Sequence, residues 1–174
     1  MRRGRAVLAA ALILAPSAPA MAGQGGGAAP LAERVGLNLS PRLCALTQSR
    51  LDLYPDRLLA AYGLPGGATF TVSVIPIAQP LVEEFADTER TIAGLYDDVF
   101  LLRELPSPPG VAGARGRLWR GGDTETGPVV TGLWLWHSAG ARVRVRVTFT
   151  VMEQERVWPE IECAVRALTA APSV

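Results

Sequence analysis

The residues best suited to chemistry in this sequence are arginines that alternate with other residues near its C-terminal end. Arg142, Arg144 and Arg146 are each separated by one valine in the segment 141–149. Side chains two residues apart share a face of a β-strand, so this spacing predicts a row of guanidinium groups. Guanidinium groups bind carboxylates and phosphates through paired hydrogen bonds. The pattern therefore predicts an anion site, which Arg115 and Arg117 of a preceding strand would extend.

A second interpretation of the arginine row needs no ligand. Alternating arginines are also typical of a solvated sheet face whose charge is balanced by acids of the same chain. The segment around Glu83, Glu84 and Asp87 could supply such acids. The sequence leaves both interpretations open and favours this second one.

The turn that precedes the row decides what the arginines face. A loop of two or four residues places His137 opposite Arg142 and buries both tryptophans, Trp134 and Trp136. A loop of three residues instead sets Trp136 and Trp134 against Arg142 and Arg144 as exposed cation–π pairs. We favour the first register, because two large apolar indole rings gain most by burial.

His137 is the only histidine in the sequence, and it raises the question of catalysis. A hydrolase needs a histidine beside a nucleophile and an acid. Ser138 follows directly, but neighbouring side chains in a strand point apart. The sequence also lacks a Gly-x-Ser-x-Gly motif. We therefore predict no catalytic residue and retain His137, with the arginines, as a candidate ligand-binding residue. A hydrolase with a site around His137 is the alternative.

No cofactor or metal site is predicted. Two cysteines without supporting histidines cannot complete a zinc site. The acids at Asp97-Asp98 and at 123–125 do not have the spacing of a calcium-binding loop. The chain contains no lysine, which excludes Schiff-base chemistry and a Ser-Lys pair.

The first residues have the pattern of a secretory signal peptide. Arginines at positions 2, 3 and 5 precede an apolar run over 6–15, and Ala20-Met21-Ala22 forms a small-residue cleavage site. The apolar run is about half the length of a membrane-spanning helix, and two prolines follow it. We predict a signal peptide over 1–22, a flexible Gly/Ala-rich lead-in over 23–30 and one domain over 31–171, located in the periplasm or secreted.

The charge of the exported domain bears on its partners. Cleavage would remove three arginines and leave 14 against 16 acidic residues, a net charge near −2. A slightly acidic domain outside the cytoplasm is a poor binder of nucleic acid, which is held by many positive charges. The chain has no transmembrane segment after cleavage. We predict a non-enzymatic binding or envelope-associated protein, with an envelope protein or a small anionic ligand as its partner.

The two cysteines, Cys44 and Cys163, are predicted to form a disulfide. Exported proteins occupy oxidising compartments, where two thiols more often pair than stay free. Such a bridge would close a loop of roughly 120 residues. Two separate buried thiols are the alternative.

The hydrophobic pattern predicts an α+β domain, with a mostly antiparallel sheet of about five to six strands flanked by helices. Strands are expected at about 51–54, 68–77, 99–105, 112–120, 128–137 and 142–151. Helices or helical turns are expected from Ser40-Pro41 to about 47, at 58–62, at 80–97 and from Pro159 onward.

This order of elements resembles that of PsbP-like domains. The segments 41–47 and 143–148 and the closing amphipathic helix are also similar to small exported bacterial proteins of unassigned function. The resemblance implies a fold, and it carries over no catalytic residue.

Overall fold

The structure is a computed structural model that describes residues 29–65, 67–122 and 127–170. The predicted signal peptide, most of the predicted lead-in and the acids at 123 and 125 lie outside the described residues. The first described helix begins at Ala29, within the segment for which the sequence predicts a lead-in.

The described residues form eight strands, three α-helices and a short 3₁₀ turn at Val151–Glu153. The helices are α1 (Ala29–Arg34), α2 (Leu81–Leu95) and α3 (Gln154–Thr169). The strands are β1 (Arg42–Leu43), β2 (Leu46–Leu53), β3 (Leu58–Leu64), β4 (Ala68–Pro76), β5 (Asp97–Glu104), β6 (Arg115–Gly122), β7 (Val129–Ser138) and β8 (Ala141–Thr150).

The strands form one antiparallel sheet in the order β1-β2-β3-β4-β8-β7-β6-β5. The α+β class and the antiparallel sheet agree with the prediction, but the sheet has eight strands rather than five to six. Strand β8 lies near the middle, between β4 and β7, so the arginine row runs through the centre of the sheet.

The two additional strands replace predicted helical turns. Residues 58–62 belong to β3, in which Leu58, Ala60, Tyr62 and Leu64 are buried and the residues between them are half-buried. This alternation has the period of a strand, and it overrides the helical tendency of leucine and alanine. The segment after Ser40-Pro41 forms β1 and a tight turn into β2 instead of a helix.

The closing helix also begins earlier than predicted. Helix α3 starts at Gln154 and contains Pro159 in its second turn. Proline is usually found in the first turn of a helix, which is why the sequence predicts a start at Pro159 rather than five residues earlier. The predicted apolar stripe of Ile161, Ala164, Val165 and Leu168 is buried as expected.

The two faces of the sheet carry separate apolar clusters. On one face, called here the α3 side, helices α1 and α3 cover side chains such as Phe70, Val145 and Trp134. On the other, called the α2 side, helix α2 places Phe85 and Ile92 against β6 and β7. Helix α2 thus covers only part of its face, because β3 and β4 contribute no buried residue to that cluster.

A disulfide links the edge of the sheet to α3. Cys44, in the β1–β2 turn, is bonded to Cys163, with their Cα atoms 6.1 Å apart. The bridge spans 119 residues of sequence, and it confirms the predicted pairing. Within the described residues, none of the helices is long and apolar enough to cross a membrane.

Candidate functional site

The turn between β7 and β8 has two residues. Ala139 and Gly140 have φ angles of 47° and 77°, the left-handed backbone that a tight hairpin turn of this length requires. His137 therefore pairs with Arg142, and Trp136 lies on the α3 side with only 2% of its surface exposed. The first of the two predicted registers is confirmed.

Arg142 lies beside the first turn of α2, which supplies a buried acidic partner. Glu84 of α2 is only 2% exposed, and its Oε1 pairs with Nη1 of Arg142. Its other oxygen, Oε2, lies 3.2 Å from Nε2 of His137. One carboxylate therefore joins α2 to both strands of the hairpin. The sheet face is not solvated at this position, since the Arg142 side chain is only 17% exposed.

Arg117 on β6 is also neutralised within the chain. Its Nη1 pairs with Glu89 of α2 and its Nε pairs with Glu104 of β5, the latter at 2.7 Å. These two carboxylates, through their hydrogen bonds, raise the pKa of Arg117. The guanidinium also lies 5.5 Å from the centre of the Phe85 ring. Arg115, at the start of the same strand, is exposed and lies outside this cluster.

Arg144 and Arg146 differ from these arginines, because neither has a carboxylate within ion-pair distance among the described residues. Nε of Arg144 donates to Oγ of Ser73 at 3.3 Å. Burial, and then the positive charge of Arg146, lower the pKa of Arg144, which still stays charged at neutral pH. The sheet thus holds two adjacent half-buried positive charges that its described acids do not balance.

Arg146 lines a small cleft that we call the arginine–hydroxyl cleft. It has a volume of about 310 Å³, and its lining residues are Thr69, Thr71, Tyr96, Arg146 and Thr148. Nη2 of Arg146 donates to the Tyr96 hydroxyl at 3.1 Å, and its Nε contacts the Thr131 hydroxyl at 3.4 Å. Nη1 of Arg146 has no hydrogen-bond partner in the described part of the chain.

Tyr96, which forms one wall of this cleft, lies where the chain leaves α2 and enters β5. A side-chain carbon at Gly121 would lie 2.7 Å from the Cβ atom of Tyr96. Glycine at this position of β6 therefore makes room for the tyrosine. The other wall is β4, whose Thr71 is the register partner of Arg146.

The structure brings together only part of the predicted anion site. Arg146 lines the cleft and Arg144 is its neighbour on the same face of β8, whereas Arg142 and Arg117 are paired with glutamates. Arg115 lies on the far side of β7. The second interpretation, in which acids of the same chain balance the arginines, therefore describes Arg142 and Arg117. The remaining two arginines, Arg144 and Arg146, have no carboxylate partner among the described residues.

His137 has an acid beside it, and no hydroxyl or thiol among the described residues is hydrogen-bonded to its ring. Glu84 supplies the acid, and both residues lie near a cleft of about 580 Å³ lined by His137 and Ser138. The Ser138 hydroxyl donates to the backbone oxygen of Val35 at 3.2 Å. The serine is thus engaged elsewhere, as expected for neighbouring residues of a strand.

Several residues of the site could not be identified from the sequence. Glu84 is one of several acids on α2, and only the packing of the helix shows that it is the buried one. The threonines of β4 alternate with buried apolar residues, which indicated an outward face without indicating a cleft. The described residues contain no group of three or more side chains able to hold a metal ion.

Comparisons with known proteins bear on the fold. No family model matches the sequence, and no curated protein matches it. A crystal structure of a Pseudomonas aeruginosa protein of unknown function, titled a putative regulator, is similar with a TM-score of 0.53. It shares 16% identity over 74% of this chain and 99% of its own. At this identity the similarity shows a shared fold alone.

A second solved structure is more distant. The Saccharomyces cerevisiae Ran-binding protein Mog1p is 12% identical, with a TM-score of 0.41. The alignment covers 71% of this chain and 79% of Mog1p.

Proposed function

We propose that this protein is an exported, non-enzymatic binding protein that holds a small anionic ligand in the arginine–hydroxyl cleft. One observation carries the proposal: Arg144 and Arg146 are half-buried, adjacent and without a carboxylate partner among the described residues, next to a cleft of about 310 Å³. Placing two like charges together under partial burial costs free energy, and a bound anion would offset that cost.

The cleft has the features that anion recognition requires. The guanidinium of Arg146 is fixed in place by Tyr96 and Thr131, so that little conformational freedom is lost when a ligand binds. Its Nη1 is open to a carboxylate or phosphate oxygen. The same cleft lies on the part of the sheet that α2 leaves uncovered, where a ligand has access from solvent.

Titration calorimetry of the purified protein with inorganic phosphate and with acetate tests this proposal. We expect measurable binding that is lost in Arg146→Gln and retained in Arg115→Gln. The control removes the same charge from an exposed position on β6, outside the cleft. Equal binding by both variants would show that the anion is attracted by overall charge, and the proposal would be wrong.

Export to the periplasm or beyond belongs to the same proposal. The Cys44–Cys163 disulfide supports it, because disulfides persist mainly in oxidising compartments. The resemblance to PsbP-like domains remains a proposal about the fold. Mass spectrometry of the protein from a bacterial envelope fraction tests the export prediction: we expect a chain that begins at Gly23. An intact N-terminus in the cytoplasmic fraction would contradict it.

A hydrolase around His137 is the second candidate, and the 3.2 Å contact between Glu84 and His137 favours it. An acid–histidine pair is two-thirds of a hydrolytic triad. Hydrolysis of p-nitrophenyl acetate by the wild-type protein and by His137→Gln tests this candidate. We expect no difference between them, and a rate that depends on His137 would favour the hydrolase.

A further inference from the structure

The hydroxyl groups in the wall of the cleft present acceptors to a ligand. The Thr71 hydroxyl donates its hydrogen to the backbone oxygen of Arg146 at 3.4 Å, and the Thr69 hydroxyl donates to that of Thr148 at 3.5 Å. A hydroxyl has one hydrogen and two lone pairs. Because both hydrogens are engaged with β8, the lone pairs of these oxygens remain for a ligand.

Donors and acceptors therefore lie next to each other in the cleft. Thr71 is the register partner of Arg146 across the β4–β8 pair, and Thr69 is the partner of Thr148. The Cβ atoms of paired residues on adjacent strands are about 5 Å apart, so both side chains border the same cleft. The arginine requires a negative group, whereas the threonine oxygens would repel one. A ligand that satisfies both carries an anionic group and also a group that donates hydrogen bonds.

The donating group of such a ligand is neutral. Arg146 lines the cleft and Arg144 lies beside it, and none of the five lining residues is acidic. An ammonium group would be repelled by these positive charges. Hydroxyl groups donate hydrogen bonds without carrying charge, so they fit the threonine acceptors.

The size of the cleft limits the ligand to a small molecule. A volume of about 310 Å³ is at the lower end of the range for ligand pockets. The residue paired with Thr71 on the neighbouring strand β3 is Ala61, which has a small side chain. A single hydroxylated ring fits such a space.

We propose that the ligand is a hydroxylated carboxylate of the sugar-acid class. This inference rests on the proposed function and names the chemistry of its ligand. The carboxylate pairs with the guanidinium of Arg146, and ring hydroxyls donate to the oxygens of Thr69 and Thr71.

Calorimetric titration with three ring compounds tests the inference. Glucuronate has a carboxylate and hydroxyls, cyclohexanecarboxylate has the carboxylate alone, and glucose has hydroxyls alone. We expect glucuronate to bind about tenfold more tightly than cyclohexanecarboxylate, the effect of one or two neutral hydrogen bonds. Glucose should not bind measurably.

Variants at the acceptor identify the origin of the difference. Thr71→Val has nearly the same shape without the oxygen, so it should remove part of the preference for glucuronate over cyclohexanecarboxylate, and the double variant Thr69→Val/Thr71→Val should remove it fully. Thr71→Ser should keep most of the preference. Thr69→Val provides a second test should Thr71→Val fail to fold, and the thermal unfolding midpoint of each variant shows whether it is folded.

The outcomes separate this inference from the proposed function. Equal affinity for both carboxylates, lost in Arg146→Gln, would overturn the sugar-acid class and leave the anion site intact. Glucose binding as tightly as glucuronate would also overturn it. No Arg146-dependent binding of any carboxylate or of phosphate would overturn the proposed function, and the ligand class with it.

Discussion

Arg142 and Arg144 are two residues apart on one strand and face the same side of the sheet, yet their surroundings differ. Arg142 is paired with Glu84, a carboxylate that is 2% exposed. Arg144 donates a hydrogen bond to the hydroxyl of Ser73, and no acid of the described residues lies within ion-pair distance. Arg146, two residues further on, also lacks an acidic partner among those residues.

The position of α2 accounts for this difference. The helix packs on β6 and β7, and its first turn brings Glu84 to the start of β8. Farther along β8, the arginines lie beside β4, whose facing residues are threonine and serine. An identical sequence pattern therefore gives a structural ion pair at one end of the strand and an open cationic surface at the other.

The largest effect on stability is expected when Arg142 and Arg144 are compared after each is replaced by methionine, which keeps the apolar part of the side chain. Arg142→Met leaves the Glu84 carboxylate buried without its positive partner, and should lower the free energy of unfolding by about 3 kcal/mol. Arg144→Met removes a charge that has no acidic partner and relieves its repulsion of Arg146, so it should leave the free energy of unfolding unchanged or raise it slightly, by less than about 0.5 kcal/mol. Urea denaturation measures both. Similar losses for the two variants would contradict the distinction between them.

Replacing Glu84, the acid of this pair, should have a smaller effect on the free energy of unfolding. Glu84→Gln should lower the free energy of unfolding by about 2 kcal/mol, because a partly exposed guanidinium loses its charged partner but keeps a hydrogen-bond acceptor. Glu83→Gln is the matched control, since Glu83 is the exposed neighbour on α2. Denaturation curves that shift equally for the two variants would mean that the buried pair does not stabilise the packing of α2.

A carboxylate introduced opposite Arg146 should give this arginine an acidic partner, as Glu84 does for Arg142. Thr71→Glu places a carboxylate opposite Arg146, and such cross-strand pairs stabilise by about 0.5 kcal/mol. The same variant should lose phosphate and glucuronate binding, because the new carboxylate occupies the guanidinium. Calorimetry and thermal unfolding measure the two changes. Undiminished anion binding would show that the ligand contacts another part of the protein.

The smallest effect is expected at Tyr62, on the α3 side of the sheet, which α1 and α3 cover. Burial raises the pKa of Tyr62, and the hydrogen bond from Gln48 opposes this shift. The folded protein therefore keeps the phenol protonated while the unfolded chain ionises above about pH 10. The stability from this group is present below that pH and is lost as the pH rises through the folded pKa.

A comparison with Tyr62→Phe measures this contribution. The wild-type unfolding midpoint should fall more steeply above about pH 10 than that of the variant, which has no phenol to ionise. Parallel curves would indicate that Tyr62 is accessible to water in the folded protein.

The sequence predicts much of the fold where the apolar pattern is strong. The alternation in β4 and β8, the stripe of α3 and the disulfide agree with the structure. Residues 58–62 were not recognised as a strand, because leucine and alanine also favour helices and only the pairing of β3 with β2 and β4 decides between the two.

The candidate site was predicted in part. Alternation placed Arg142, Arg144 and Arg146 on one face, but periodicity within a strand carries no information about which neighbour covers it. The partner of Arg142 comes from a helix more than fifty residues earlier, and the hydroxyls beside Arg146 come from β4. Such contacts depend on the sheet order, which local sequence does not specify.

Arginine side-chain NMR during titration with phosphate tests the central claim most directly. Each Nε–H signal reports on the surroundings of one guanidinium, and assignment by single Arg→Gln variants would distinguish the residues. We predict that the signals of Arg144 and Arg146 shift together as phosphate is added, while those of Arg142 and Arg117 remain unchanged because glutamates already hold them. Equal shifts at all four arginines, or none at Arg146, would contradict the account.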